Sequence, residues 1–296
     1  MSRIHVRLAA QFCLFLVAGI ATAATSLDTA KIEQLTGAKG KMDEKEGVLK
    51  VSLPRGDINV NVGGVKMTPP MGLTCWAAFM SMGDHVAVMG DQVLLEDQVN
   101  PVMSVALENG LEVTALHNHF LGDTPRVMFM HIGGMGDEEK LAEAVGKVFA
   151  KIKETSGGKG EIIKADIDTS KSNIDPKKID AVIGKPGELN KGIYKVTIGR
   201  TTKMMGQDVG NTMGVNTWAA FAGEDDKAIV DGDFAMTEQE LQGVLKALRR
   251  AGIQIVAIHN HMTGESPRIM FLHFWGVGST ADLARGIKAA LDTQGK

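Results

Sequence analysis

Apolar and polar side chains alternate with a period of two over residues 194–199, the pattern that sends successive residues to opposite faces of a strand. Residues 216–223 and 227–236 carry a strand signal on either side of the turn Glu224-Asp225-Asp226. The period then changes. Thr237-Glu238-Gln239-Glu240 reads as a capping box, and Leu241, Val244, Leu245 and Leu248 follow at the spacing of one helix face, closed by Gly252. Residues 253–262 and 268–275 predict two further strands around Thr263-Gly264-Glu265-Ser266-Pro267. A last helix opens at Ser279-Thr280-Ala281-Asp282, with Leu283, Ile287, Ala290 and Leu291 on its inner face.

The same succession occurs 142 residues earlier. Residues 71–136 laid on 213–278 give 25 identities in 66 positions without a gap. Chance gives about one in sixteen to one in twenty, so the chain carries a duplicated module. Upstream, Gly47-Val48-Leu49-Lys50-Val51 answers Gly192-Ile193-Tyr194-Lys195-Val196 at an offset of 145, which places a short length difference in the loop between. The order β-β-β-α-β-β-α in each copy implies an α+β fold, an antiparallel sheet with helices on one side. In the first copy Asn100-Pro101 falls where the first helix should begin. Proline suits the first helical turn, so that helix is expected to start later. Residues 137–152 predict the matching last helix.

Glu154-Thr155-Ser156-Gly157-Gly158-Lys159-Gly160 has the composition of a linker or exposed turn. The expected organisation is therefore a leader over 1–23, a first module over 24–153, a connecting segment over 154–175 and a second module over 176–296. A chain of 296 residues has room for two such domains, each large enough to bury a core of its own.

Composition narrows the function classes. The formal net charge is −3 with both signs scattered, which offers no basic face for a phosphate backbone and excludes nucleic acid as the expected partner. At the start of the chain, Arg3 and Arg7 precede an apolar run over residues 8–20 and the small-residue site Ala21-Thr22-Ala23. This is the layout of a secretory leader cleaved after Ala23, and the run is too short for a comfortable membrane span, so a periplasmic or secreted protein with no remaining span is expected. Cys13 lacks the surroundings of a lipid-attachment site. Cleavage would leave Cys75 as the only cysteine, aligned with Thr217, and predicts a small buried side chain rather than a nucleophile.

Seven histidines follow the leader, and six form two equivalent triplets: His117, His119 and His131, then His259, His261 and His273. Only His85 stands outside, aligned with Lys227. Each triplet reads His-Asn-His, then an acid (Asp123 or Glu265), then Thr/Ser-Pro-Arg and the third histidine. Residues i and i+2 of a strand share a face, so His117 and His119 should be neighbours. A hairpin turn over residues 121–125 would pair Ala115 with His131 and set His131 diagonal to His117 on that face, with the turn carboxylate able to lean over them. A register slip of one residue would send His131 to the other face.

Three histidines and a carboxylate suit a borderline divalent cation, zinc first, and would also serve iron, manganese, nickel or copper. The bland alternative is a set of core or polar-network histidines. Asp123 and Glu265 are the candidate general bases if the site is catalytic. Arg126 and Arg268 are candidate anion-binding residues, or partners of those same acids. Asn118 and Asn260 should face away and hold backbone hydrogen bonds. Trp76-Ala77-Ala78-Phe79 and Trp218-Ala219-Ala220-Phe221 read as core strands. The 17 methionines hint at soft-metal handling, although core filling explains most of them. His-x-His followed by Glu also touches the first cupin motif, but the second motif is missing and a helix intervenes where cupins have strands.

His117-Asn118-His119-Phe120-Leu121-Gly122-Asp123-Thr124-Pro125-Arg126 and its partner at 259–268 resemble the repeated signature of the LppY/LpqO family of exported bacterial proteins. The resemblance covers most of the chain after the leader. It implies the duplicated architecture and supplies no reaction, and the missing lipid-attachment site implies a soluble member. The expected function is a metal-binding protein with one site per module, extending to metal-dependent hydrolysis. The alternatives are a non-catalytic module binding a small molecule and an envelope protein whose histidines are structural.

Overall fold

The computed structural model describes residues 26–295; the expected leader over 1–23 lies outside the described residues. Twelve strands form one sheet: β1 (Gly40–Asp43), β2 (Val48–Pro54), β3 (Thr74–Met82), β4 (His85–Leu95), β5 (Glu112–His117), β6 (Val127–Gly136), β7 (Glu188–Asn190), β8 (Ile193–Gly199), β9 (Asn216–Glu224), β10 (Lys227–Thr237), β11 (Gln254–His259) and β12 (Ile269–Gly278). Their spatial order is β1-β2-β3-β4-β6-β5-β11-β12-β10-β9-β8-β7, and every pairing is antiparallel. The chain is α+β, with six helices: α1 (Thr29–Thr36), α2 (Glu96–Glu108), α3 (Glu138–Glu154), α4 (Pro176–Ile183), α5 (Leu241–Arg250) and α6 (Thr280–Leu291).

Strand parity sorts the side chains. In β3, Cys75, Ala77 and Phe79 are fully buried, and their neighbours Trp76 and Ala78 are only partly so. The buried set lies under the helices: a side chain at Gly134 or Gly276 would run into Leu141 of α3 or Leu283 of α6. Burial of this face is the main stabilising term of such a fold, at about 25 cal/mol per Å² of apolar surface.

The expectation of two separate cores is not met. One hydrophobic cluster runs through both modules, from Ile32 and Phe149 to Phe274 and Ile287. The modules join edge to edge, β5 against β11, with Leu116 opposite Ile258. These residues are 142 apart and so equivalent in the repeat, which places a pseudo-two-fold axis at the seam. The helix layer repeats that symmetry. Asn100 of α2 accepts from Ile255 N–H (2.8 Å) and donates to its carbonyl (3.2 Å), while Gln242 of α5 makes the equivalent pair with Val113 (3.0 and 2.9 Å). Val113 and Ile255 sit at register shifts in β5 and β11, where the regular ladder is interrupted. Each module therefore satisfies the other's irregular backbone, an isologous contact as in a two-fold dimer.

The helix expected to start late starts early. Helix α2 begins at Glu96, five residues before Pro101, whereas α5 begins at Leu241, equivalent to residue 99. Gln98 closes the first turn by accepting from Leu95 N–H at 3.1 Å. Proline removes the N–H that would have bonded the Asp97 carbonyl. That carbonyl instead accepts from Glu161 N–H at 2.7 Å, so the connecting segment completes the helix. Cys75 is fully buried, and burial pushes its thiol up to about 11. Its sulfur accepts from Val93 N–H at 3.3 Å, and Thr217 Oγ1 accepts from the equivalent Ala235 N–H at 2.9 Å.

Candidate functional site

The hairpin register places the third histidine as expected. Ala115 pairs with His131, Leu116 with Met130 and His117 with Phe129; the second module repeats this with Ala257–His273, Ile258–Leu272 and His259–Phe271. Leu116 and Ile258 point to the helices, so His117, His131, His259 and His273 all point to the opposite face. The strands stop at His117 and His259, short of the expected length. His119 and His261 lie just beyond and fold back, each stacking flat on the phenylalanine opposite the strand end, with ring centroids 3.3 Å apart for His119–Phe129 and 3.5 Å for His261–Phe271.

Three imidazoles converge in each module. His117 and His131 bring their Nε2 atoms to 3.0 Å, and the His117 ring is 5.2 Å from that of His119. In the second module His259 and His261 bring theirs to 3.2 Å, and His259 stacks on His273 with centroids 4.7 Å apart.

The carboxylate at this face comes from another element. His131 pairs across β6 and β4 with Asp91, and His273 pairs with Asp233 of β10. Asp233 Oδ2 lies 3.2 Å from His261 Nε2. Among the described residues, Asp233, His259 and His261 are the group whose ligand-type atoms all lie within 4.8 Å of one another. The sequence reading missed both aspartates. The available signal was that Asp91 and Asp233 are identical in the repeat, each directly after a glycine that also recurs, Gly90 and Gly232.

Asp123 and Glu265 each commit one carboxylate oxygen to their own hairpin, and Glu265 Oε2 stays buried with no hydrogen-bond partner. Asp123 Oδ2 accepts from Val127 N–H at 2.7 Å and Glu265 Oε1 from Ile269 N–H at 3.2 Å, so each carboxylate braces the return of its own hairpin. Both hairpins pass through a cis proline, Pro125 and Pro267. The arginines bind neither acid. Arg126 pairs with Glu96 at 3.6 Å and Arg268 with Glu238 at 3.3 Å, all four exposed, where such pairs contribute about 0–1 kcal/mol. Arg126 also lines a cavity of about 320 Å³ at the seam, with Glu96, Asn100, Glu161 and Ile255, and no histidine reaches it. Asn118 donates to the Phe120 carbonyl at 2.7 Å, the expected backbone role.

The tryptophans are not core residues. Trp76 pairs with Asp91 and Trp218 with Asp233, so each extends the row of its histidine, capped by Lys50 or Lys195 with Nζ 4.0 or 4.2 Å above the ring. One cross-strand row thus carries Trp76, Asp91, His131 and Ala115, and its repeat carries Trp218, Asp233, His273 and Ala257.

Burial disfavours the charged form of two of the imidazoles, His259 and His119. Burial first, then the neighbouring His273 and His261, lowers His259 to about 4. His119 is lowered by burial, partly opposed by Asp91, while His117 and His131 lower it further. Asp233 is raised by burial against the pull of His273 and His261. Asp91 Oδ1 and Asp233 Oδ1 are buried and accept no hydrogen bond from the protein. His259 Nδ1 is likewise unpartnered, so it lacks the carbonyl or carboxylate that commonly orients a ligating histidine.

No protein among the curated sequences matches this chain. Among solved structures, the trimeric bacterial microcompartment shell protein PduB aligns over 86% of this chain and 89% of its own, at 12% identity and a TM-score of 0.23, a level that carries no argument. The description "Domain of Unknown Function (DUF1259)" matches twice, over residues 30–151 and 177–293. The two matches fall on the two copies of the histidine module, and with most of the sequence covered the chain belongs to that family.

Proposed function

We propose that each module binds one divalent cation, zinc before others, through three histidines and an aspartate. The ligands are His259, His261, His273 and Asp233 in the second module and His117, His119, His131 and Asp91 in the first. The observation that carries the reading is the trio Asp233–His259–His261. A tetrahedral zinc with bonds of about 2.0–2.1 Å holds its ligand atoms about 3.3–3.4 Å apart, and two edges of the trio measure 3.2 Å. Neutral imidazole is the ligating form, and burial keeps His259 neutral well below pH 7. A cation would also give the orphaned Asp233 Oδ1 a partner, relieving the cost of a buried acceptor left alone.

Four protein ligands fill a tetrahedral zinc, so a water would join only as a fifth ligand, where the ion would lower its pKa towards neutrality. Metal-assisted hydrolysis is therefore the reaction class this reading favours if the site is catalytic. Asp123 and Glu265 then act through the hairpin they brace rather than as general bases. Residues 1–23 support export, and no helix among the described residues is long and apolar enough to cross a membrane.

Elemental analysis of protein purified from its native compartment tests the reading. Two equivalents of one divalent metal are expected. The double variant His259→Ala/His261→Ala should retain one equivalent, held by the first module. Full stoichiometry in that variant, or metal-free wild-type protein that takes up no zinc, overturns the proposal in favour of a buried polar network.

A further inference from the structure

The first module carries a second cluster on the histidine face that its repeat lacks. Seven methionines are exposed among the described residues, and four of them, Met80, Met82, Met89 and Met135, belong to strands β3, β4 and β6. Met89 is 68% exposed and Met135 63%. Methionine is ordinarily a core residue, so four in one exposed region ask for a physical reason. Parity puts all four on one face. Met89 and Met135 stand two and four residues from Asp91 and His131, and Met80 and Met82 stand four and six residues from Trp76.

The register brings them round one small residue. Ala87 pairs with Met80 on one side and with Met135 on the other, and Met89 follows two residues along its own strand. Adjacent strands are about 4.8 Å apart, so the backbones of Met80 and Met135 stand about 10 Å apart with only the Ala87 methyl between. Met89 pairs with Gly133 and Ala78, which raise no wall beside it. Unbranched thioethers with three rotatable bonds span such a gap readily. His85 pairs with Met82 at the end of the strip, and among the described residues it is the histidine that belongs to neither triplet. At the equivalent positions the second module has Ala222, Asp231, Val277, Glu224 and Lys227, with no sulfur donor among them; Ala222 is buried and Glu224 stands opposite Lys227.

We propose that Met80, Met89 and Met135 form a soft-cation site over Ala87, selective for a monovalent d10 ion such as Cu(I), with Met82 and His85 at its rim. Thioether sulfur is a soft donor that favours Cu(I) over the divalent ions suited to imidazole and carboxylate. The site stands independently of the histidine reading and gives the first module a cargo that the second cannot hold.

Silver(I), a redox-inert stand-in for Cu(I), added to full-length protein carrying ¹³C-methyl methionine tests this directly. The methyl signals of Met80, Met89 and Met135 should shift together and saturate at one equivalent, before the isolated exposed Met205 and Met213 respond. The variant Met89→Leu/Met135→Leu keeps side-chain volume at exposed positions and should fold. It should lose at least about tenfold in Ag(I) affinity, a loss of about 1.4 kcal/mol, with zinc stoichiometry unchanged. Simultaneous response of Met205 with the strip, or unaltered affinity in the variant, overturns the site. Methyl shifts that follow protein concentration without silver would identify an interface between copies and overturn it equally.

Discussion

In both modules the second histidine lies flat on a phenylalanine, but in the second the Nε2 atoms of His259 and His261 meet at 3.2 Å and Asp233 closes on His261, whereas in the first His117 meets His131 at 3.0 Å. The three histidines and the aspartate are the same in both modules, while the turns beside them differ at Phe120/Met262, Leu121/Thr263, Asp123/Glu265 and Thr124/Ser266. In the first module Asp123 and Thr124 pair with Asn61 and Val62 in a three-stranded sheet; in the second a single bridge joins Lys203 to Ser266. Glu265 is buried at 8% exposure, while the shorter Asp123 remains half-exposed. One longer acid and one different loop contact thus accompany the change in which pair of imidazoles closes.

The sharpest way to break this comparison is at the aspartates. Asp233→Asn should lower the zinc affinity of the second module by about 100-fold, the upper end of what an orienting partner alone contributes. Asp91→Asn should cost the first module about tenfold or less, because its histidines close without it. Calorimetric titration of each variant reads both values. Equal losses would show that the two sites are the same in solution.

The seam offers a second test. Asn100→Ala leaves the N–H and C=O of Ile255 unpaired in a buried site and should cost about 1–3 kcal/mol in chemical denaturation. Gln242→Ala, at a less buried position, should cost less. Both variants should unfold in one transition, because one core spans the modules. Two separated transitions would return the molecule to two independent domains.

Proton titration sharpens the comparison further. His259 should titrate near pH 4 by NMR in metal-free protein. Its folded pKa is depressed, so between about 6.5 and 4 the unfolded chain binds a proton that the folded chain refuses, and stability falls as pH drops through that window. His119 acts in the same direction. Asp233, raised by burial, opposes them just above the ordinary carboxylate range. A midpoint for His259 near 6.5 would mean that the cluster is solvated. The smallest effect is expected from exchanging the buried pair of equivalents: Cys75→Thr should change stability by less than about 1 kcal/mol, since Thr217 makes the same backbone contact in the repeat.

What the sequence determined by itself is local. The repeat at an offset of 142 and the turn length that pairs Ala115 with His131 are readable in the sequence, whereas the run Trp76-Ala77-Ala78-Phe79 is apolar throughout and does not reveal which of its residues face the helices. Parity is strict within a strand, so a correct hairpin register carries the third histidine to the correct face. Which strand lies on the far side of β6 is a different kind of fact. Asp91 reaches His131 from 40 positions away through a pairing that no local period encodes, so the carboxylate was sought in the turn, where Asp123 is instead occupied by Val127 N–H. The same reason governs the seam and the early start of α2. Leu116 meets Ile258, and Glu161 takes the carbonyl that Pro101 leaves free, only once the chain has folded back on itself. Local pattern chooses a face and a register; partners distant in sequence are chosen by how backbone groups left unpaired by that pattern find one another in the assembled sheet.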